Sequence, residues 1–412
     1  MWSVVCSPWS IFASMQFKDI IGQSEVKQHL VELVEHDRLS HALLFLGKEG
    51  SGALPLAIAF AQYVVSLPSS SASSVPDLFG SSPTPPSGFV HPDNIVSRPA
   101  WQRANELIHP DLHFSYPVIP RKSGDKPIST DYISEWREFF KESPYGNIYD
   151  WLQFIGAENK QGNITALECN DIIRKLNLKT FESEYKVLVM WMPEYLGNEG
   201  NKLLKLIEEP PPNTLFILVA ENESLILPTI LSRTQLIKIP LLSTEEIAAA
   251  LEVQARITTD QARQIASVSE GNYREALQLV THAEEDWQTL LRNWLNTIMK
   301  TGPVTQVKWI EETSKLGREK QKQFLRYFGH LLEQAIRLEA IGEDRLHIPD
   351  NERDFAIRLN KIAGLGEQQA IIKELDNAVY YIERNANAKL LFHALTIKIY
   401  HIIANQQVVE VV

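Results

Sequence analysis

Gly47-Lys48-Glu49-Gly50-Ser51-Gly52-Ala53-Leu54 is the stretch on which the reading of this chain turns. Gly47 and Gly52 give the Gly-x-x-x-x-Gly frame of a phosphate-binding loop. The apolar run Ala42-Leu43-Leu44-Phe45-Leu46 precedes it, and a helix-like stretch from Leu56 to Val65 follows. A working loop continues with Lys and Ser or Thr, which serve the β- and γ-phosphates and Mg²⁺. Here those places hold Ala53 and Leu54, which offer neither a charge nor a metal ligand. The expectation is a nucleotidase scaffold that does not itself turn over nucleotide.

A second site tests that expectation. Val187-Leu188-Val189-Met190 reads as a central parallel strand. The next two positions, where a nucleotidase of this layout places two acids, are Trp191 and Met192. Neither polarises water or binds Mg²⁺. Glu194 lies two residues on, but strand alternation and Pro193 make it a poor substitute.

At 412 residues the chain is long enough for two or three domains. Hydrophobic content of 44% and charged content of 22% are those of an ordinary globular protein. A net charge of −11 argues against a stand-alone nucleic-acid binder, although a local basic face is compatible with it. Two cysteines, Cys6 and Cys169, make neither a four-Cys zinc site nor a disulfide framework, so a reducing cytoplasm is the expected compartment. No apolar run reaches the length of a membrane span. Met1 to Ser14 is apolar but has no basic start and contains Pro8; it reads as an over-extended, unstructured start, with Met15 the natural first residue.

From residue 15 to 241, helical segments alternate with short apolar strands, at Ala42–Leu46, Val187–Met192, Leu215–Ala220 and Leu236–Ile239. That alternation predicts an α/β domain with a parallel sheet. The Ser- and Pro-rich stretch 68–99 is expected to be a surface loop. Ser243-Thr244-Glu245-Glu246 is a capping box that opens a small helical unit over 242–285. From 286 to 412, apolar residues at helical spacing, such as Trp287, Leu291, Trp294 and Ile298, predict an all-α bundle. Asn201 to Glu209 reads as an amphipathic helix stopped by Pro210-Pro211-Pro212. Arg233, after Ser232, would on general grounds be a surface salt-bridge residue.

Together these parts resemble the bacterial clamp-loader family of AAA+ proteins. The loop Gly47–Gly52, the segment Leu203-Leu204-Lys205-Leu206-Ile207-Glu208-Glu209-Pro210-Pro211 and the pair Ser232-Arg233 occur in the family's order and approximate spacing. Phe17 to Gln23, Ser40 to Phe45 and Gly271 to Leu277 add further matches, the last to the sensor 2 segment. Asn385 to Leu391 is similar to the helical collar. Within the family the chain most resembles the delta prime subunits of DNA polymerase III, whose nucleotide site is decayed.

The resemblance implies an AAA+ domain, a helical lid and an oligomerising collar. It implies a non-hydrolysing stator in a hetero-pentameric ring with motor subunits and a delta subunit, which loads the sliding clamp on primed DNA. Arg233, with Ser232, would act in trans on ATP held by a neighbour, as a permanently charged, planar donor array suits a γ-phosphate. Thr234 stands where the family usually has Cys. Arg274 matches the sensor 2 Arg and, with no nucleotide in cis, would brace the lid. Ala220 and Glu221 replace a small hydroxyl that senses the γ-phosphate. The family's zinc module has no counterpart in 68–99, which lacks Cys, so neither metal nor cofactor is expected. Two rival readings are an active AAA+ ATPase using Lys48 or Glu194 as unorthodox ligands, and a DNA-binding regulator with steep salt dependence.

Overall fold

The computed structural model describes residues 16–68, 90–122, 124–157, 161–281, 287–300, 302–341, 350–383 and 386–405. The expected extension at 1–14 lies outside them, as do residues 69–89 of the Ser/Pro-rich stretch and Asn385 of the collar motif. The chain divides into two compact units, Met1–Thr281 and His282–Val412.

The first unit is built on five strands: β1 Ala42–Gly47, β2 Leu112–Ser115, β3 Lys186–Trp191, β4 Thr214–Ala220 and β5 Gln235–Ile239. They lie in the order β2-β3-β4-β1-β5, and every pairing is parallel. Around them run α1 Ser24–Glu35, α2 Ala53–Val65, α3 Pro99–Asn105, α4 Ile133–Glu142, α5 Ile148–Phe154, α6 Ala166–Leu176, α7 Leu204–Glu208 and α8 Pro228–Leu231. Three more helices, α9 Thr244–Gln254, α10 Thr259–Val268 and α11 Tyr273–Thr281, close the unit. This is the α/β fold that the alternating pattern predicts.

Alternation along the inner strands sends neighbouring side chains to opposite faces. Leu43, Phe45, Val187, Val189, Leu215 and Ile217 join the core that surrounds α2. Leu44, Leu188, Met190, Phe216 and Leu218 join a second core with Ile172 and Leu176 of α6. Two covered faces explain why β3 and β4 are apolar throughout, without polar alternation. The edge strand β5 alternates instead, with Leu236 and Lys238 exposed and Ile237 and Ile239 buried. Every residue of α2 is buried, and apart from Gln62 the helix is apolar on all sides, as packing between the sheet and its neighbours requires.

Two local expectations are corrected. β2 is a strand that periodicity does not reveal, because it is four residues long and carries His113 and Ser115; its pairing to β3 defines it. The helix expected from Asn201 to Glu209 is α-helical only over Leu204–Glu208; a 3₁₀ segment, Pro193–Leu203, precedes it and breaks at Gly197. Trp136, Phe139 and Phe140 are core residues, with Trp136 stacked on Tyr116 at 4.2 Å.

The second unit is entirely helical among its described residues: α12 Trp287–Lys300, α13 Pro303–Thr313, α14 Arg318–Ile341, α15 Asp350–Ile362, α16 Leu365–Glu383 and α17 Ala388–Asn405. Its core centres on Trp294, stacked on Trp309 at 4.8 Å, with its Nε1 donating to Thr396 Oγ1 at 3.0 Å. Side-chain amides finish two of its helices. Gln321 Nε2 donates to the carbonyls of Thr313 and Leu316 after α13, and Gln368 Nε2 to that of Ala363 after α15. These bonds satisfy carbonyls that a helix end leaves without partners.

On β2, burial pushes the His113 imidazole down to about 4, and the positive charges of Lys175 and Lys186 push the same way, against Asp111 and Asp171. His113 is therefore neutral when folded at a pH where the unfolded chain, at about 6.5, takes up a proton. Stability should fall as pH drops from about 6.5 towards 4, by up to about 3 kcal/mol from this group. Urea unfolding of the wild type and of His113→Gln from about pH 4 to about pH 8 checks it: the wild type should lose stability relative to the variant as pH falls below about 6.5, and the difference should be level above that.

Candidate functional site

β1, β3 and β4 end side by side, with Trp191 paired to Val219 and Leu46 to Ala220. Ligands of open parallel sheets bind beyond such carboxyl ends. The loop Lys48–Gly52 leaves β1 there and enters α2 at Ala53. Gly50 and Gly52 have φ of 71° and 89°, left-handed values at which a side chain is strained. At Gly50 the space is closed as well, since a Cβ would overlap the Asn272 side chain and lie 2.8 Å from Tyr273 N.

The loop is held on three sides. Gln23 Nε2 donates to Ser51 O at 3.0 Å and to Pro240 O at 2.7 Å, joining the loop to the chain beyond β5. Tyr273 N, at the start of α11, donates to Gly50 O at 3.2 Å. Glu49 faces this same segment and the start of α5, and its carboxylate accepts from Arg274 Nη1 at 2.9 Å, Asn272 Nδ2 at 3.3 Å and Asn147 Nδ2 at 3.0 Å.

Arg274 has no exposed side-chain surface. Besides Glu49 it meets Asp150 in a fork, Nε to Oδ2 at 2.5 Å and Nη2 to Oδ1 at 2.6 Å. Asp150 is itself fixed by the capping box of α5, in which Asn147 Oδ1 accepts from Asp150 N at 2.9 Å. A bidentate, charge-assisted pair of this kind is among the stronger hydrogen-bonded arrangements. Arg274 thus ties α11 to both the loop and α5.

Gly47, Gly50, Gly52, Ala53, Leu54 and Trp191 border one cleft, with Val219, Ala220 and Glu221 from β4 and the residues that follow it. The cleft encloses about 30 Å³, room for a water or two. Ala53 and Leu54 are buried at the first two positions of α2. Trp191 is buried against Trp136 at 5.3 Å and Phe139 at 6.2 Å, so its position has become part of the aromatic core. Glu194 Oε1 accepts from the backbone N–H of Glu221 at 2.7 Å and of Asn222 at 2.9 Å, and burial raises its pKa. That carboxylate splints the ends of β3 and β4. Lys48 is exposed at the cleft border.

Ser232 and Arg233 lie outside this cleft, just beyond α8. Arg233 Nε donates to Glu208 Oε1 at 2.6 Å, and its Nη1 donates to Thr229 O at 2.7 Å and Ser232 Oγ at 3.1 Å. Its side chain remains one third exposed. Arg233 is thus a surface salt-bridge residue paired with Glu208.

Sequence reasoning missed Glu49, Tyr145, Asn147 and Asp150. The Asn147-x-x-Asp150 capping signature was available for α5, but nothing local announces that Asp150 meets a residue 124 positions away. Tyr145 is buried, and its hydroxyl accepts from Ile21 N at 3.0 Å.

Residues 148–243 match the protein family described as DNA polymerase III, delta subunit. The chain is 25% identical over 262 residues to DNA polymerase III subunit delta' of Bacillus subtilis (strain 168), over 64% of this chain and 60% of that protein. It is 23% identical over 305 residues to subunit tau of the same organism, over 73% of this chain and 43% of tau. With subunit gamma of Buchnera aphidicola subsp. Acyrthosiphon pisum (strain APS), identity is 30% over 149 residues, 35% of this chain and 40% of gamma. The chain thus spans less than two thirds of the length of each of these relatives. Among solved structures, a DNA polymerase III gamma subunit-related protein of Thermotoga maritima aligns at 14% identity and a TM-score of 0.37, over 90% of this chain and 98% of that one. The RuvB Holliday junction branch migration motor of Thermotoga maritima aligns at 13% and 0.37, over 80% of each chain.

The buried guanidinium makes an asymmetric prediction. Asp150→Ala leaves Arg274 short of a partner inside the protein and should cost about 3 kcal/mol. Arg274→Met should cost less, because the Glu49 and Asp150 side chains keep 20% and 24% of their surface in water. Urea denaturation of the two variants orders them, and the reverse order would show that Arg274 is solvated.

Proposed function

We propose that this chain, a member of the bacterial DNA polymerase III clamp-loader family, is a non-hydrolysing stator subunit of the clamp-loader ring. In this reading it assembles with motor subunits and a delta subunit in the cytoplasm and helps place the sliding clamp on primed DNA. Residues 242–285 form its lid and 286–412 its collar. The observation that carries the proposal is the replacement of the loop's Lys and Ser/Thr by Ala53 and Leu54, both buried in the first turn of α2. Trp191, packed in the aromatic core where an acid is needed, supports it from the neighbouring strand.

The function then lies outside the cleft. Arg233 is held at the surface by Glu208, Thr229 O and Ser232, with a third of its side chain free to meet a neighbour's phosphate. A guanidinium already ordered on its own chain loses less conformational freedom when it engages. The rival reading, an ATPase using Glu194, is disfavoured by that carboxylate's bonds to the backbone of Glu221 and Asn222. Among the described residues no helix is long and apolar enough to cross a membrane.

Purified chain should neither hydrolyse ATP nor hold it in a stoichiometric complex, measured by phosphate release and equilibrium dialysis; turnover on its own would sink the stator reading. Arg233→Ala should enter the ring normally and reduce its DNA-stimulated ATPase. A trans Arg is worth on the order of 10³–10⁵ at its own site, and less in a ring with several sites. Unchanged ring ATPase would remove Arg233 from the mechanism.

A further inference from the structure

The cleft beside the loop is small because side chains of this chain already stand in it. We propose that Tyr145 and Glu49 are built-in occupants, standing where the base and a phosphate of a nucleotide would lie, and that they hold the lid helices α9–α11 shut without nucleotide. The inference rests on reading Gly47–Gly52 as a former phosphate loop.

At one end, a purine between loop and lid needs a flat apolar slot and an N–H donor for a ring nitrogen. Tyr145 has taken both. Its hydroxyl accepts from Ile21 N at 3.0 Å, its ring meets that of Tyr273 edge-on at 4.9 Å, and it lies against Gly52, where an added Cβ would stand 3.2 Å from it. At the other end, a phosphate on the loop would need the nearby buried cation, Arg274. Glu49 and Asp150 already meet that charge. An arriving triphosphate would therefore face two carboxylates around one guanidinium and be repelled.

The tethering makes the closure permanent. A free nucleotide leaves its site, and a lid that reads it opens around the empty cleft. Glu49 belongs to the loop itself, so its carboxylate is presented to Arg274 at the high effective concentration of an intramolecular ligand. Tyr273 N to Gly50 O and Asn272 to Glu49 add two further ties between lid and loop.

Amide hydrogen exchange on the isolated full chain tests this, apart from the ring ATPase that tests Arg233. In the wild type, α9 and α11 should be protected, and millimolar ADP should change nothing. In the double variant Glu49→Ala/Tyr145→Ala, lid amides should exchange at least about tenfold faster, and millimolar ADP should restore part of the protection. A lid as protected as in the wild type, loosening that ADP does not reverse, or ADP protection of the wild-type lid would each overturn the proposal. If the double variant does not fold, Tyr145→Phe and Glu49→Gln decide it. The first should speed exchange of the Ile21 amide about fivefold and the second should speed α11. Unchanged exchange at both would refute the assignment.

Discussion

A guanidinium with no exposed surface costs several kcal/mol unless its charge and its donors are matched, and Arg274 is such a group. Its partners come from places far apart in the chain, Glu49 at 225 positions and Asp150 at 124. To bring them together, the loop after β1, the capped start of α5 and the first turn of α11 have to converge on one point. Much of the local detail around the cleft follows from that convergence. Gly50 has to lack a side chain because Asn272 comes close to it, whereas at Gly52 the φ of 89° is what excludes one and Tyr145 only tightens the space.

The sheet supplies the frame for this convergence. Its inner strands are covered on both faces, so their carboxyl ends are the places where polar chemistry would ordinarily emerge. Here those ends have been drawn into the core. Trp191 extends the aromatic cluster of Trp136, Phe139 and Trp151, and Ala53 and Leu54 continue the buried, largely apolar surface of α2. Trp191, Ala53 and Leu54 are all packing positions in this fold. Glu194 adds a polar tie at the same edge, with its carboxylate bound to the turn after β4. Arg233 sits past α8, outside both cores, where its charge keeps access to water.

The architecture was legible from periodicity to the extent that strands were long and apolar. β1, β3, β4 and β5 stand within a residue of where the apolar runs place them. β2 escaped because four residues with a His and a Ser carry too little pattern, and only pairing to β3 stabilises them as a strand. The 3₁₀ segment before α7 escaped for another reason. Apolar spacing over so few residues does not separate a 3₁₀ turn from an α turn, and Asn201 to Leu203, where the helix was expected to begin, belong to the 3₁₀ segment that Gly197 interrupts farther back.

Local order was enough to place the glycine loop Gly47–Gly52, Ala53 and Leu54 behind it, Trp191 after the apolar run of β3, and Arg233 after Ser232. Each of these is a statement about residue type at a position counted from its neighbours, which a linear chain carries in full. The tertiary structure alone decided what lines the cleft and what Arg274 binds. Those outcomes depend on Glu49, Tyr145 and Asp150 meeting partners in other segments, and the energy of a buried charge or hydroxyl exists only once folding has removed the water around it.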